Sequence, residues 1–322
     1  MKIGVAGTGS IGRRHISNLQ KLDPSAQVVL LRPEAQHDQF SNDKGLTVVA
    51  YEDINNSSLD GLIIATPSAM HYPLIVQALE CGLACYIEKP LITNRDQLQK
   101  LSAFIETQDT LPPTQSGCNL RYLPSLIKMR QLIKDGAVGT VLRASFEAGQ
   151  WLPDWRPSAD YTQSYSASKE LGGGVTLDLI HELDMARWLI DEFESVNAQA
   201  GTSSVLDIET ESVMIAVMLS NERVPVSVSL DYISKPPVRR YQVVGDRGSL
   251  VWDLHKMILE YRSNEDVESF CSPDDFDVSQ TYVSPMQDFL KCIKDKTSAE
   301  QDILEGMKSC ELALNLKASA GI

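Results

Sequence analysis

The chain is short of positive charge: 29 Lys and Arg stand against 43 Asp and Glu, a net charge of −14. A nucleic-acid surface would need a basic stripe, and none runs through this sequence. A few arginines or lysines still suffice for a small anion inside a cleft, where local charge outweighs a distant field. Cysteine supplies no framework either. Cys81, Cys85, Cys118, Cys271, Cys292 and Cys310 form no C-x-x-C pair, and no nearby histidines complete a zinc pattern. Cys81 and Cys85 are expected as buried thiols, and a reducing cytoplasm with no metal site is the expected setting. No apolar run reaches membrane length, and MKIGVAGTG enters a strand at once with no signal peptide. Neither a membrane nor a nucleic acid is expected as a partner. Internal repeats and low-complexity tracts are also missing.

What remains is an ordinary globular composition, 43% apolar, in 322 residues, a length that favours two domains. Up to Ile87, strand and helix alternate. KIGVAG, VVLLR, GLIIAT and LACYI read as strands. Ile11, His15, Ile16, Leu19 and Leu22 follow a helical period, and HYPLIVQALE is a helix stopped by Gly82. Nearly all-apolar strands separated by helices predict a doubly wound parallel sheet. A helix over 94–107 and a short strand near 114–118 complete that domain. Beyond a boundary near 117–121, the helix SLIKMRQLIKDG is followed by alternating strands such as SVMIAVMLS and VPVSVSLDY. Alternation predicts an open, mostly antiparallel sheet. The last ~35 residues read as helical again. The expected domains are 1–118 and 119–322, with the C-terminal helix free to pack back on the first.

Gly7, Gly9 and Gly12 form G-x-G-x-x-G between the first strand and its helix. Gly7 permits the turn, Gly9 admits a pyrophosphate, and Gly12 allows close helix–strand packing, with the diphosphate on the helix N-terminus. Ser10, Ile11 and Arg13 belong to the same expected contact. An NAD site adds an acid at the end of the second strand, but LLRPE places Arg32 there. A guanidinium suits a 2′-phosphate, so NADP is favoured and NAD possible. Arg32 stacking on adenine or facing solvent is the alternative. ATPSAMH closes the third strand, so Thr66, Pro67 and His71 are expected beside the cofactor, although His71 also reads as a helix residue without chemistry. The fourth strand stops on Glu88, Lys89 and Pro90, a charged ending over the ligand edge, which makes Lys89 the expected donor to substrate.

KELGGGVTLDLIHELD sets a glycine run before a helix with Asp178, His181 and Asp184 at spacings of three, on one face. The glycines allow close ligand approach, and His181 is the candidate acid–base group. A capped helix with a satisfied buried histidine is the plainer alternative. Between the halves, Trp151, Trp155, Tyr161 and Tyr165 alternate with Asp154, Arg156, Asp160 and Lys169. That mixture suits a sugar or polyol, or else packs a long loop. Arg121, Arg156 and Lys169 are candidates for an anionic group on the substrate.

Taken together, the glycine fingerprint, ATPSAMH, YIEKPL, LRYLPSLIKMRQLIKDGAVG, LGGGVTLDLIHELD and VVGDRGSLVWD resemble the Gfo/Idh/MocA family of NAD(P)-dependent sugar and cyclitol oxidoreductases. The resemblance spans nearly the whole chain in the family's order. It implies a Rossmann domain followed by an α/β domain whose sheet joins subunits into dimers or tetramers. It also implies roles for Lys89, Asp178 and His181 in hydride transfer at a hydroxyl or keto carbon. One departure bears on Asp178: many members read D-x-x-x-H, whereas LDLIH is one residue shorter. The segment from WRPSADY to LIHELD further resembles members linked to bacterial surface sugars such as nonulosonates. A dinucleotide-binding sensor, or an epimerase that retains its cofactor, is the rival expectation. On the enzyme reading, Lys89 and His181 come from separate domains to serve one nicotinamide.

Overall fold

A computed structural model describes residues 1–322. They divide into two compact units, residues 1–118 with 282–310, and residues 119–281 with 311–322. In the first unit the apolar segments form β1 (Lys2–Ala6), β2 (Gln27–Arg32), β3 (Thr47–Ala50), β4 (Gly61–Ile64), β5 (Ala84–Ile87) and β6 (Thr114–Ser116). All pair in parallel, in the order β3-β2-β1-β4-β5-β6. Every residue of β4 and β5 is buried, as a sheet covered on both faces requires. The covering helices include α1 (Ser10–Leu22), α2 (Gln39–Lys44), α3 (His71–Glu80) and α4 (Arg95–Glu106). Gly12, His15, Ile16 and Leu19 make the buried stripe of α1. The strand order reverses at β1, and the crevice at the carboxyl ends of β1 and β4 is where such sheets take ligands.

The second unit contains α5 (Pro124–Lys134), β7 (Val141–Gly149), α6 (Val175–Asp178), α7 (Ile180–Leu189), β8 (Phe193–Gly201), β9 (Val213–Ser220) and β10 (Pro225–Asp231). β11 (Val238–Gly245), β12 (Ser249–Asp253), β13 (Ile258–Arg262) and β14 (Val267–Ser269) follow. Its sheet runs β14-β13-β12-β11-β7-β10-β9-β8, antiparallel except between β7 and β10. The expected doubly wound sheet followed by an open, mostly antiparallel one is what forms. On β9 and β10 the alternation is clean: Met214, Ala216, Met218, Val226, Val228 and Leu230 are buried while Ile215 and Val217 face out.

The chain ends in α8 (Ser284–Asp295) and α9 (Ile303–Ser319). Met286, Phe289 and Leu290 of α8 pack with Ile3, Val5, Ile16, Leu19, Ile63 and Tyr86 in the core of the first unit. Each such buried Leu, Ile or Phe contributes ~1.5–3 kcal/mol.

The sequence pattern shows less at four places. α2 is six residues of QFSNDK with no apolar period, and β3 is only four residues long. β8 buries Ala198 alone, and β14 is exposed throughout. The helix expected to carry Asp178, His181 and Asp184 on one face is broken. Leu179 (φ −95°, ψ 33°) separates α6 from α7, so that shared face does not form.

Candidate active site

In the first unit the glycine turn divides its labour. Gly7 has φ +96°, and a Cβ on Gly7 or Gly12 would strike the backbone of Ala65 or Gly7 respectively. Those two glycines are needed for packing. Gly9 is exposed, and a Cβ there would meet nothing within 4 Å. It opens α1, whose N-terminus carries no side-chain cap, so the N–H groups of Ser10, Ile11 and Gly12 face the crevice end of the helix. Thr66 follows β4 at the same edge, with its Oγ1 buried and unpartnered. Pro67 beside it is exposed. An open glycine, an uncapped helix N-terminus and an orphaned hydroxyl fit a dinucleotide diphosphate.

The end of β5 is held from two sides. Nε2 of His15, on the buried face of α1, donates to Oε1 of Glu88 at 2.6 Å, and the imidazole packs 4.8 Å from the Tyr86 ring. Gly117 leaves room for that carboxylate: a Cβ there would lie 3.0 Å from Oε2. His71 is fully buried, with Nδ1 3.0 Å from the Pro90 carbonyl and Nε2 3.0 Å from that of Thr66. This corrects the expectation that His71 lines the cofactor. Both ring nitrogens face protein carbonyls, one on the β4 loop and one on the β5 loop, and whichever carries the proton donates to its carbonyl. Lys89 lies between these two anchors and is half-buried, while Glu88 is buried and joined to the helix that the diphosphate would cap.

Around β2 the three arginines near the crevice are all docked on protein. Arg32 Nη2 makes an ion pair with Asp38 Oδ2 at 2.7 Å, and Nη1 donates to the Gln36 carbonyl at 2.9 Å. Arg13 donates to the Thr8 carbonyl and lies 4.4 Å over the Phe40 ring. Arg14 lies 4.2 Å over the Tyr282 ring.

In the second unit the glycine run closes on protein rather than opening to a ligand. A Cβ on Gly173 would strike the Tyr165 carbonyl, and one on Gly174 (φ +113°) would come within 2.5 Å of the Glu211 carboxylate. Glu211 in turn accepts from Lys317 Nζ at 2.9 Å. The Asp178 carboxylate is 2% exposed and accepts the Tyr232 hydroxyl at 2.6 Å. The Asp178 charge also acts on the Tyr165 phenol. Burial and then the Asp178 charge hold both phenols well above their ordinary pKa, so they stay protonated donors. Trp155 meets Tyr232 edge-on at 5.4 Å, and exposed Arg156 lies 5.8 Å from the Tyr165 ring. His181, in the first turn of α7, is half-buried.

One expected substrate contact is corrected. Arg121 is buried, and its guanidinium makes a two-pronged pair with Asp184 at 2.9 and 2.6 Å, a scaffold tie rather than an anion reader. Trp151 has one ring face covered by Lys235 Nζ at 3.6 Å. Three residues went unread in the sequence: His15, Asp38 and Tyr232. The signal for His15 and Tyr232 was available, because an imidazole in an apolar helical stripe or a tyrosine on a buried strand face needs a polar partner.

The chain's sequence carries the same grouping. Residues 1–111 match the oxidoreductase family model for an NAD-binding Rossmann fold, and residues 126–251 match the model of the GFO/IDH/MocA C-terminal domain. The chain belongs to the GFO/IDH/MocA family. It is 25% identical over 234 residues to the inositol 2-dehydrogenase/D-chiro-inositol 3-dehydrogenase of Lactiplantibacillus plantarum, covering 66% of this chain and 62% of that protein. The chain thus spans less than two thirds of that relative. The myo-inositol 2-dehydrogenase of Thermotoga maritima is 25% identical over 306 residues, 84% of this chain and 87% of that one. Levoglucosan dehydrogenase in complex with NADH and levoglucosan shares the fold, with a TM-score of 0.85 at 18% identity over 100% of this chain and 97% of that one. No helix is long and apolar enough to cross a membrane.

Proposed function

We propose that this protein is an NAD(P)-dependent oxidoreductase acting on a hydroxyl or keto carbon of a sugar-like or cyclitol substrate. The observation that carries the reading is the ligand edge of the first unit. There an open Gly9 turn and an orphaned Thr66 hydroxyl share the crevice end of the sheet with Lys89, on a loop pinned by His15 and His71. When bound, the nicotinamide supplies or accepts the hydride. Lys89 donates a hydrogen bond to the reacting oxygen and stabilises alkoxide charge. His181 takes or returns the hydroxyl proton, a role for which an imidazole's two ring nitrogens suit it. Asp178, itself nearly enclosed, holds the buried Tyr232 hydroxyl, and Tyr232 in turn backs Trp155, which with Tyr165 and Arg156 makes a polar–aromatic surface suited to a polyol. The inositol and levoglucosan dehydrogenases among the relatives support that substrate class.

Arg32 at the end of β2 supports NADP, while the NADH complex of levoglucosan dehydrogenase supports NAD. Six free cysteines support a reducing, cytoplasmic setting. The outward face of the second unit's sheet supports a homodimer or homotetramer.

The test is turnover with a panel of cyclitols and ketosugars, read by nicotinamide absorbance, for the native chain and for Lys89→Ala and His181→Ala. Each substitution should cut turnover about 100- to 10,000-fold and leave NADH binding within about threefold. Near-native turnover in both variants would remove the assigned roles.

A further inference from the structure

The β2–α2 corner holds a charge arrangement that the strand pattern does not announce. Arg32 ends β2 where a ribose-binding acid stands in NAD sites. Its guanidinium is pinned by Asp38, the N-cap of α2, and by the Gln36 carbonyl. Asp38 is fixed in its turn. Its Oδ1 accepts the Ser41 N–H at 2.8 Å, and the Ser41 hydroxyl accepts the Asp38 N–H at 2.8 Å, closing a capping box. Both carboxylate oxygens are therefore committed, one to the helix and one to the arginine. The Ser41 N–H and then Arg32 hold this carboxyl down to about 2, so it is ionised at every working pH. Arg13 and Arg14 lie on Phe40 and Tyr282.

We infer that Asp38 is the cofactor-selecting residue: a carboxylate supplied from the next helix, it neutralises Arg32 and tilts the adenosine ribose subsite toward NAD over NADP. This rests on the proposed dinucleotide site. A 2′-hydroxyl is a neutral donor and meets a carboxylate and a guanidinium side by side. A 2′-phosphate carries about two negative charges, and at Arg32 it meets a third charge on Asp38 and must compete for one guanidinium. The arginine that reads as an NADP determinant is thereby latched.

Isothermal titration of NADH and NADPH, with no substrate and no turnover, tests this on the native chain, Asp38→Asn and Asp38→Asn/Arg32→Ala. Asparagine caps a helix as well as aspartate, so the first variant removes charge and keeps the corner; its thermal midpoint reports that. NADH should bind the native chain at least as tightly as NADPH. Asp38→Asn should strengthen NADPH binding at least tenfold while NADH changes less than threefold, and the double variant should lose that gain. An unchanged NADPH to NADH ratio in Asp38→Asn overturns the latch, as does a native chain that already prefers NADPH tenfold. Failure of the native chain to bind either dinucleotide would instead overturn the functional reading itself.

Discussion

His71 is fully buried between two backbone carbonyls, yet a neutral imidazole has only one N–H to give. Burial outweighs the Thr66 carbonyl, the Glu88 charge and the Pro90 carbonyl, and holds the group below its ordinary pKa. In the unfolded chain the same ring titrates near ~6.5. Below that pH the unfolded state binds the extra proton, so the His71 contribution is intact above ~6.5 and is lost as pH falls toward the folded value. Urea denaturation between pH 8 and pH 5 should show native stability falling by up to about 1.4 kcal/mol per pH unit more steeply than in His71→Gln. Parallel curves for the two proteins would contradict this. The sequence offered His71 two roles, lining a cofactor or serving a helix without chemistry. His71 does open α3, but the clasp it makes between two strand-end loops lies beyond either reading, because it depends on Thr66 and Pro90 meeting in space. The partner of Arg121 is hidden from the sequence for a similar reason: Asp184 lies 63 positions away along the chain.

Among the elements, α1 separates two kinds of glycine that look alike in the fingerprint. A methyl group on Gly12 would press into the Gly7 carbonyl, so Gly12→Ala should cost ~1–3 kcal/mol through overpacking. Gly9 has an ordinary extended backbone (φ −68°, ψ −173°) and open space beside it. Gly9→Ala should therefore leave stability within ~0.5 kcal/mol while weakening NADH binding at least tenfold, since its methyl fills the approach to the helix N-terminus. Denaturation midpoints and NADH titration on both variants check the pair. Native NADH affinity in Gly9→Ala would move the diphosphate away from this turn. The fingerprint told where the turn lies but not which glycine serves packing. The same limit applies at Gly173 and Gly174, where glycines expected to admit a ligand instead admit Tyr165 and Glu211. Elements without periodic apolar residues stayed hidden. α2 is polar, yet it bears Asp38, and β8 presents Ser195, Asn197 and Gln199 outward with little buried beneath.

For the molecule as a whole, the change from continuous apolar strands to alternating ones was legible because sheets covered on two faces and on one face demand different sequences. That alternation leaves one feature needing a partner. On the outward face of β9, Ile215 and Val217 are 55% and 57% exposed. Their cross-strand neighbours are Gln199 and Asn197 on β8, and Ser229 and Ser227 on β10. These six positions carry apolar and neutral polar groups, with Asp231 on β10 and Glu147 on β7 at their edge, the pattern of an apolar interface centre with a polar rim. A face of that composition suits a two-fold contact with a second copy. Sedimentation at micromolar concentration should show a dimer or tetramer for the native chain. Ile215→Asp/Val217→Asp should shift it to monomer, because each pairing would bury four unpaired carboxylates about the axis. NADH binding belongs to the first unit and should survive in the double variant. A native chain that sediments as monomer, or a variant that keeps the native oligomer, would leave this face without the assigned partner.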